Sequence, residues 1–353
     1  MLIYVGAYTS AGGGIRCFRQ DPGTGALAEV HPPTPAVDPS FLAWDAARAN
    51  LYAVSESTGG VYAFERSDDG LLTSLGQQWT GGSDPCHLAV DPTGQFLVTA
   101  NYSDGKVSVH PIDPDGALGE RRDLIAHTGG GPDRERQEGP HAHMVAFRPS
   151  GASFLVTDLG TDHIHEYALS PDGAVQPLSA YPADAGSGPR HVAFHPTSDA
   201  VYVCGELDSS VLIYRPEGDG LTRAGRVAAT AQAVQSRPDP GASLRSAGDP
   251  APADRNYPSH IECSPDGRVV YVGNRGADCI TVLQVTPEGL EPIADVPTGG
   301  AWPRHFAFVG DFLYVANQHS GTVTALRVDP ATGVPGKPEV VAEVAEAACI
   351  LPG

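Results

Sequence analysis

Pro189-Arg-His-Val-Ala-Phe194, followed after a Pro-containing turn by Val201-Tyr-Val-Cys204, decides the fold. A short apolar run led by proline, a turn signal and a second run of β-branched and aromatic residues read as two neighbouring strands, because runs this short do not make helices. The pair recurs. Its first strand returns as Pro39-Ser-Phe-Leu-Ala-Trp44, Pro85-Cys-His-Leu-Ala-Val90, His143-Met-Val-Ala-Phe147, Pro258-Ser-His-Ile-Glu-Cys263 and Pro303-Arg-His-Phe-Ala-Phe308. Its second returns as Leu51-Tyr-Ala-Val54, Phe96-Leu-Val-Thr99, Phe154-Leu-Val-Thr157, Val270-Tyr-Val-Gly273 and Leu313-Tyr-Val-Ala316. Asp91-Pro-Thr-Gly94, Arg148-Pro-Ser-Gly151 and Ser264-Pro-Asp-Gly267 supply the tight turns between them. Most copies lie roughly 45–50 residues apart, the length of one four-stranded propeller blade.

Six copies are plain, and Ala347-Ala-Cys-Ile-Leu351 is a degenerate seventh. Ile3-Tyr-Val-Gly6 matches a second strand with no first strand before it, so the closing strand is expected from Cys349-Ile-Leu351. Pairing the two ends in one sheet removes the open edge of an unclosed ring. The expected fold is all-β, a seven-bladed β-propeller forming a single domain over residues 1–353. One interval, Pro189 to Pro258, is about twenty residues longer than its neighbours. Residues 233–257 there, rich in Pro, Ser, Asp and Arg without periodicity, read as a long inserted loop, either a lid over the channel or an unstructured insertion.

Composition narrows the partners. A formal charge of −20 excludes nucleic acid and anionic membrane surfaces as favoured partners. No apolar stretch approaches a membrane span and no signal layout opens the chain, so a cytoplasmic protein is expected. Six cysteines without a C-x-x-C pair, mostly in strand runs, read as reduced core thiols. A small anionic substrate is the expected partner, with the chain a monomer or weak homo-oligomer.

The repeat separates scaffold from site. The column after the leading proline reads Ser40, Cys86, His143, Arg190, Ser259, Arg304 and Ala348; the next reads Phe41, His87, Met144, His191, His260, His305 and Cys349. Histidine in four of seven copies of the second column answers a need of every blade, so His87, His191, His260 and His305 read as structural ties. The first column varies among Ser, Cys, His and Arg, which marks specialised positions bordering the channel. A third column, at the end of the second strand, is read as Glu56, Asn101, Leu159, Glu206, Arg275 and Gln318. Together they place His143, Arg190, Glu206, Arg275 and Arg304 on consecutive blades, and Arg134-Glu-Arg-Gln-Glu-Gly-Pro-His-Ala-His143 adds His141 at i, i+2, on the same strand face as His143.

Converging guanidiniums suit an anion, because each binds carboxylate or phosphate bidentately and stays charged. A histidine and a glutamate beside them can move protons near neutral pH. The catalytic set expected is His143, Glu206, Arg190 and Arg275, with His141, Arg304 and Asn101 binding substrate. His141-x-His143 could ligate a metal, yet no third ligand stands at a matching position, so neither metal nor other cofactor is expected. The bland reading of the same residues is an arginine–glutamate network that plugs the channel.

Tyr4-Val-Gly-Ala-Tyr-Thr9, Leu51-Tyr-Ala-Val-Ser-Glu56, Ala100-Asn-Tyr-Ser-Asp-Gly105, Arg136-Gln-Glu-Gly-Pro-His-Ala-His143, Gly188-Pro-Arg-His-Val-Ala-Phe-His-Pro196, Glu206-Leu-Asp-Ser-Ser-Val211 and Tyr271-Val-Gly-Asn-Arg275 together resemble the seven-bladed propeller lactonases. That family includes the cycloisomerase-type bacterial 6-phosphogluconolactonases and the fungal carboxy-muconate lactonizing enzymes. The resemblance spans essentially the whole chain and places the family's active-site set on His143, Arg190, Glu206 and Arg275. Ala7 stands where a Thr is usual, and Ala347-Ala-Cys349 where Pro-Thr-Cys is usual. The resemblance implies hydrolysis of 6-phosphoglucono-δ-lactone to 6-phosphogluconate. The alternatives are lactonisation of a carboxylated muconate, a non-catalytic binding propeller, or a calcium-dependent gluconolactonase drawing on Glu56, Asn101 and Asn274.

Overall fold

The computed structural model describes residues 1–11, 13–218, 220–231 and 255–353. Seven four-stranded antiparallel sheets form blades 1 to 6, over residues 42–79, 85–126, 142–182, 189–228, 257–297 and 303–343, and blade 7. Blade 7 joins Ala347–Pro352 to Leu2–Ala7, Gly14–Gln20 and Leu27–Glu29, with Val5 opposite Ile350 and Gly6 opposite Cys349. The expected closure by the terminal strands is therefore what the chain does. The first strand of each blade packs on that of the next all the way round, which makes these strands the channel wall. Most of residues 233–257 fall outside the described residues; Tyr257 itself already belongs to the inner strand of blade 5.

The repeat has a physical latch. Tyr4, Tyr52, Tyr271 and Tyr314 sit in second strands, fully or almost fully buried. Each hydroxyl donates to a glycine carbonyl in the outer hairpin of the following blade: Gly70 at 2.8 Å, Gly116 at 3.0 Å, Gly333 at 2.6 Å and Gly25 at 2.7 Å. A buried phenol needs such a partner, and here the partner is also the blade-to-blade tie. Gly25 and Gly70 hold φ of 77° and 95° where a Cβ would strike Phe312 and Leu2, so the latch accepts only glycine at these two turns.

Blade interfaces carry the core, as in the cluster of Ile3, Val5, Phe18, Tyr314, Val323 and Ile350 between blades 6 and 7. All six cysteines are free thiols, five buried and Cys263 partly so.

Candidate active site

Near the start of the inner strands the register slips: between Pro85 and His87, Ala142 and Met144, Pro189 and Val192, Pro258 and Ile261, and Pro303 and His305. Such bulges re-aim side chains and gather at sites. Here they build two layers across the channel.

The lower layer is the histidine column. Phe41 lies 3.9 Å from His87 and 5.5 Å from His305, with His87–His191, His191–His260 and His260–His305 at 5.4, 5.2 and 4.1 Å between ring centroids. Burial, the larger cause, and neighbouring cationic groups push all four imidazoles down, His305 to about 3, so they are neutral. They tie blades together. The Val145 N–H donates to His87 Nδ1 at 3.4 Å and the Ile350 N–H to His305 Nδ1 at 3.3 Å, while the Val192 N–H meets Met144 Sδ at 3.1 Å. Methionine thus fills the histidine's place in blade 3.

The upper layer is ionic. Glu206 is buried, with Oε1 2.7 Å from an Arg136 terminal nitrogen and Oε2 2.7 Å from one of Arg275 and 2.8 Å from Arg190 Nε. The Arg190 contact is charge to charge, because its Nε–H is not aligned as a hydrogen bond. Each arginine is anchored elsewhere: Arg136 donates to the Tyr102 hydroxyl at 3.2 Å, Arg275 to the Tyr257 carbonyl at 3.1 Å, and Arg190 to the Ser259 carbonyl. The Trp302 ring packs under Arg275 at 5.2 Å, held there by a positive φ of 63° that tryptophan seldom adopts. Across the channel Arg304 lies 3.5 Å from Glu56 and over the Tyr8 ring at 5.3 Å, while the Tyr8 hydroxyl donates to Glu56 at 2.6 Å.

Four guanidiniums thus face two carboxylates, and the layer carries two uncompensated positive charges. Burial opposes the Glu206 charge most strongly, yet the attraction of Arg275, Arg136 and Arg190 overrides it and holds the carboxyl well below the usual range. Burial and repulsion from Arg275 bring Arg190 down to about 10, still cationic at neutral pH. His143 is buried beneath Tyr102, ring centroids 5.7 Å apart, and burial followed by Arg190 keeps it neutral. Its Nδ1 has no hydrogen-bond partner among the described residues.

The structure therefore brings His143, Arg190, Glu206, Arg275 and Arg304 to one end of the channel. His141 stacks on Tyr102 at 4.5 Å and lies 3.3 Å from Glu138, so it frames the layer from outside. Asn101 is a correction. Its Nδ2 donates to the Lys106 carbonyl at 3.1 Å inside its own hairpin, and its side chain packs against Gly82. Asn274 and Asn317 do the same work, with Nδ2 on Thr281 at 2.9 Å and on Thr324 at 3.0 Å. The site position is the next residue, Tyr102, since a one-residue slip on a strand sends the side chain to the other face. The Glu56, Asn101 and Asn274 calcium set therefore does not converge. Sequence reasoning also missed Tyr8, the blade 7 member of the same column, and Arg136, which arrives on the connection between blades 2 and 3.

A separate cavity of about 400 Å³ opens at the other ends of the inner strands, lined by Phe194, Pro196, Glu262, Phe308 and Pro352, with His260 and His305 at its floor. It contains none of the four arginines. The ionic layer lies on the far side of the histidines.

Residues 2–352 match the family of seven-bladed β-propeller lactonases. The chain belongs to that family. It is 36% identical to a 6-phosphogluconolactonase of Bacillus subtilis (strain 168), over 94% of this chain and 92% of the relative, and 32% identical to one of Formosa agariphila over 94% and 93%. The solved structure of a periplasmic gluconolactonase from Pseudomonas aeruginosa superposes with a TM-score of 0.86 at 27% identity, over 99% of each chain. The lactonase fold thus carries, in this chain, an arginine-rich layer with a neutral histidine at its base. Among the described residues no helix is long and apolar enough to cross a membrane.

Proposed function

We propose that this lactonase hydrolyses 6-phosphoglucono-δ-lactone to 6-phosphogluconate. The observation that carries the reading is the charge imbalance: two excess positive charges in a buried layer match a dianion, which the phosphate group of this lactone supplies. Membership of the lactonase family and the two curated relatives support the reaction. Arg304, with one loose carboxylate contact, has donors to spare for phosphate. Arg190 and Arg275 supply the fixed positive donors for the oxyanion that develops on the lactone carbonyl.

Glu206 is a poor base while three guanidiniums hold it, so its work is to position them. His143 is neutral and has an unspent ring nitrogen. Burial is the larger cause of this imidazole's low affinity for a proton and remains, but a bound dianion cancels the excess charge that adds to it and so raises that affinity as substrate arrives. His143 then takes a proton from the attacking water. The water oxygen bonds to the carbonyl carbon, the ring C–O bond breaks, and the imidazolium returns the proton to the departing ring oxygen. No step requires a covalent enzyme intermediate.

The test is loss of lactone above its spontaneous rate, followed with purified protein and with Arg275→Ala. Acceleration that Arg275→Ala largely removes is expected. A background rate with this lactone and turnover of a carboxylated muconate instead would transfer the chain to the family's other reaction.

A further inference from the structure

Between blades 2 and 3 three repeat positions have changed chemistry together. At the interface of blades 5 and 6 those positions are Thr298, Asn317 and Thr324, which close a neutral triangle: Asn317 Nδ2 donates to Thr324 Oγ1 at 3.0 Å, and Thr324 Oγ1 to the Thr298 carbonyl at 2.7 Å. At the interface of blades 4 and 5 they are Ala229, Asn274 and Thr281, with Asn274 Nδ2 on the Ala229 carbonyl at 3.0 Å and on Thr281 Oγ1 at 2.9 Å. At the interface of blades 2 and 3 they are His127, Asp158 and His165. A donor atom from each of these three lies within 4.8 Å of the others.

The triangle there is incomplete. Asp158 Oδ2 meets His127 Nδ1 at 2.6 Å, both side chains essentially without solvent contact. That contact puts the His127 proton on Nδ1 and the lone pair on Nε2, the way a carboxylate orients a ligating imidazole. His127 Nε2 and His165 Nε2 are both buried without a partner among the described residues, as is the hydroxyl of Thr161, whose N–H binds the other Asp158 oxygen at 3.0 Å. The two rings face each other at 4.0 Å. Two unsatisfied imidazole nitrogens beside a carboxylate in a buried pocket suit a borderline divalent cation.

We infer that His127 and His165 form a binding site for a divalent transition ion such as Zn²⁺, with the two Nε2 atoms as ligands, Asp158 holding the His127 ring from its Nδ1 side, and the unpartnered Thr161 hydroxyl beside them. The ion would sit at the root of the connection that carries Arg136 to Glu206, since His127 begins it and the His141 N–H at its end donates to Asp158 Oδ1 at 2.9 Å. It would fasten that connection to blade 3 without touching substrate.

The experiment uses chelator-treated full-length protein, to which Zn²⁺ or Co²⁺ is added. Expected are one tightly bound ion per chain, a rise in melting temperature at one equivalent, and the visible bands of low-coordinate Co²⁺. The combined variant His127→Thr, Asp158→Asn, His165→Thr rebuilds the set found between blades 5 and 6 and so should fold. It should lose affinity by more than about 100-fold, the upper end of what loss of a supporting partner costs. His165→Thr alone is the second variant should the triple not fold. No bound ion in the wild-type chain, or binding that survives in these variants, would overturn the assignment.

Discussion

Glu206→Gln is the most informative change to the ionic layer. It keeps the shape and removes the one charge shared by Arg136, Arg190 and Arg275 at 2.7, 2.8 and 2.7 Å. The excess positive charge rises from two to three. Removing one partner from a buried ion pair costs about 3–5 kcal/mol, because the charges left behind stay desolvated. The anchors of the three guanidiniums on Tyr102, Ser259 and Tyr257 remain, which puts the expected loss near the middle of that range. At about 2.1 cal/mol/K per residue, a chain of 353 residues has an unfolding entropy near 0.74 kcal/mol/K, so a loss of about 4 kcal/mol lowers Tm by about 5 °C. Differential scanning calorimetry measures this directly. Inorganic phosphate should restore more of the lost Tm in the variant than it adds to the wild type, since an anion then stands in for the carboxylate. A Tm within about 1 °C of wild type, with equal phosphate effects on both proteins, would refute the reasoning.

The same carboxylate sets a pH dependence. Its folded pKa is depressed, so its contribution is complete above the unfolded value of about 4.3 and is lost as pH falls through the folded value; the stability gap between wild type and Glu206→Gln should hold from pH 7 to about 5 and close below that, as read from denaturant midpoints. His143, with its pKa lowered, should show no titration between pH 6 and 8 in the free protein, and its ring proton shifts should move on adding 6-phosphogluconate. Tyr314→Phe leaves the Gly25 carbonyl without its 2.7 Å donor and should cost about 1–3 kcal/mol in chemical denaturation with kcat unchanged. Arg304→Met should raise KM for a phosphorylated lactone far more than it lowers kcat, in steady-state kinetics.

Much of this was legible in the residues. The Pro-led repeat gave the blades because each copy presents the same buried face, and the unmatched Ile3-Tyr-Val-Gly6 gave the closure because a second strand demands a first. His143, Arg190 and Arg304 stood out where the repeat column varies. Asn101 falls one residue short of the Arg275 column, because a strand's end does not fix which face its last side chain presents. Registering Asn101 with Asp158, Asn274 and Asn317 places Tyr102 beside Leu159, Arg275 and Gln318, and extends the column to Tyr8 through Ala7. Arg136 lies outside the repeat columns, on the connection between blades 2 and 3, and only the folded path shows that it reaches Glu206. The grouping of His127, Asp158 and His165 was equally hidden, because they share no spacing motif and meet only in the folded chain.

Two unbalanced positive charges in the channel layer should select the substrate. The direct measurement is kcat/KM for 6-phosphoglucono-δ-lactone against glucono-δ-lactone, each corrected for spontaneous hydrolysis at one ionic strength. A preference of at least about tenfold for the phosphorylated lactone, or 1.4 kcal/mol, that shrinks as salt rises is expected. Equal values for the two lactones, or a preference for the neutral one, would contradict it.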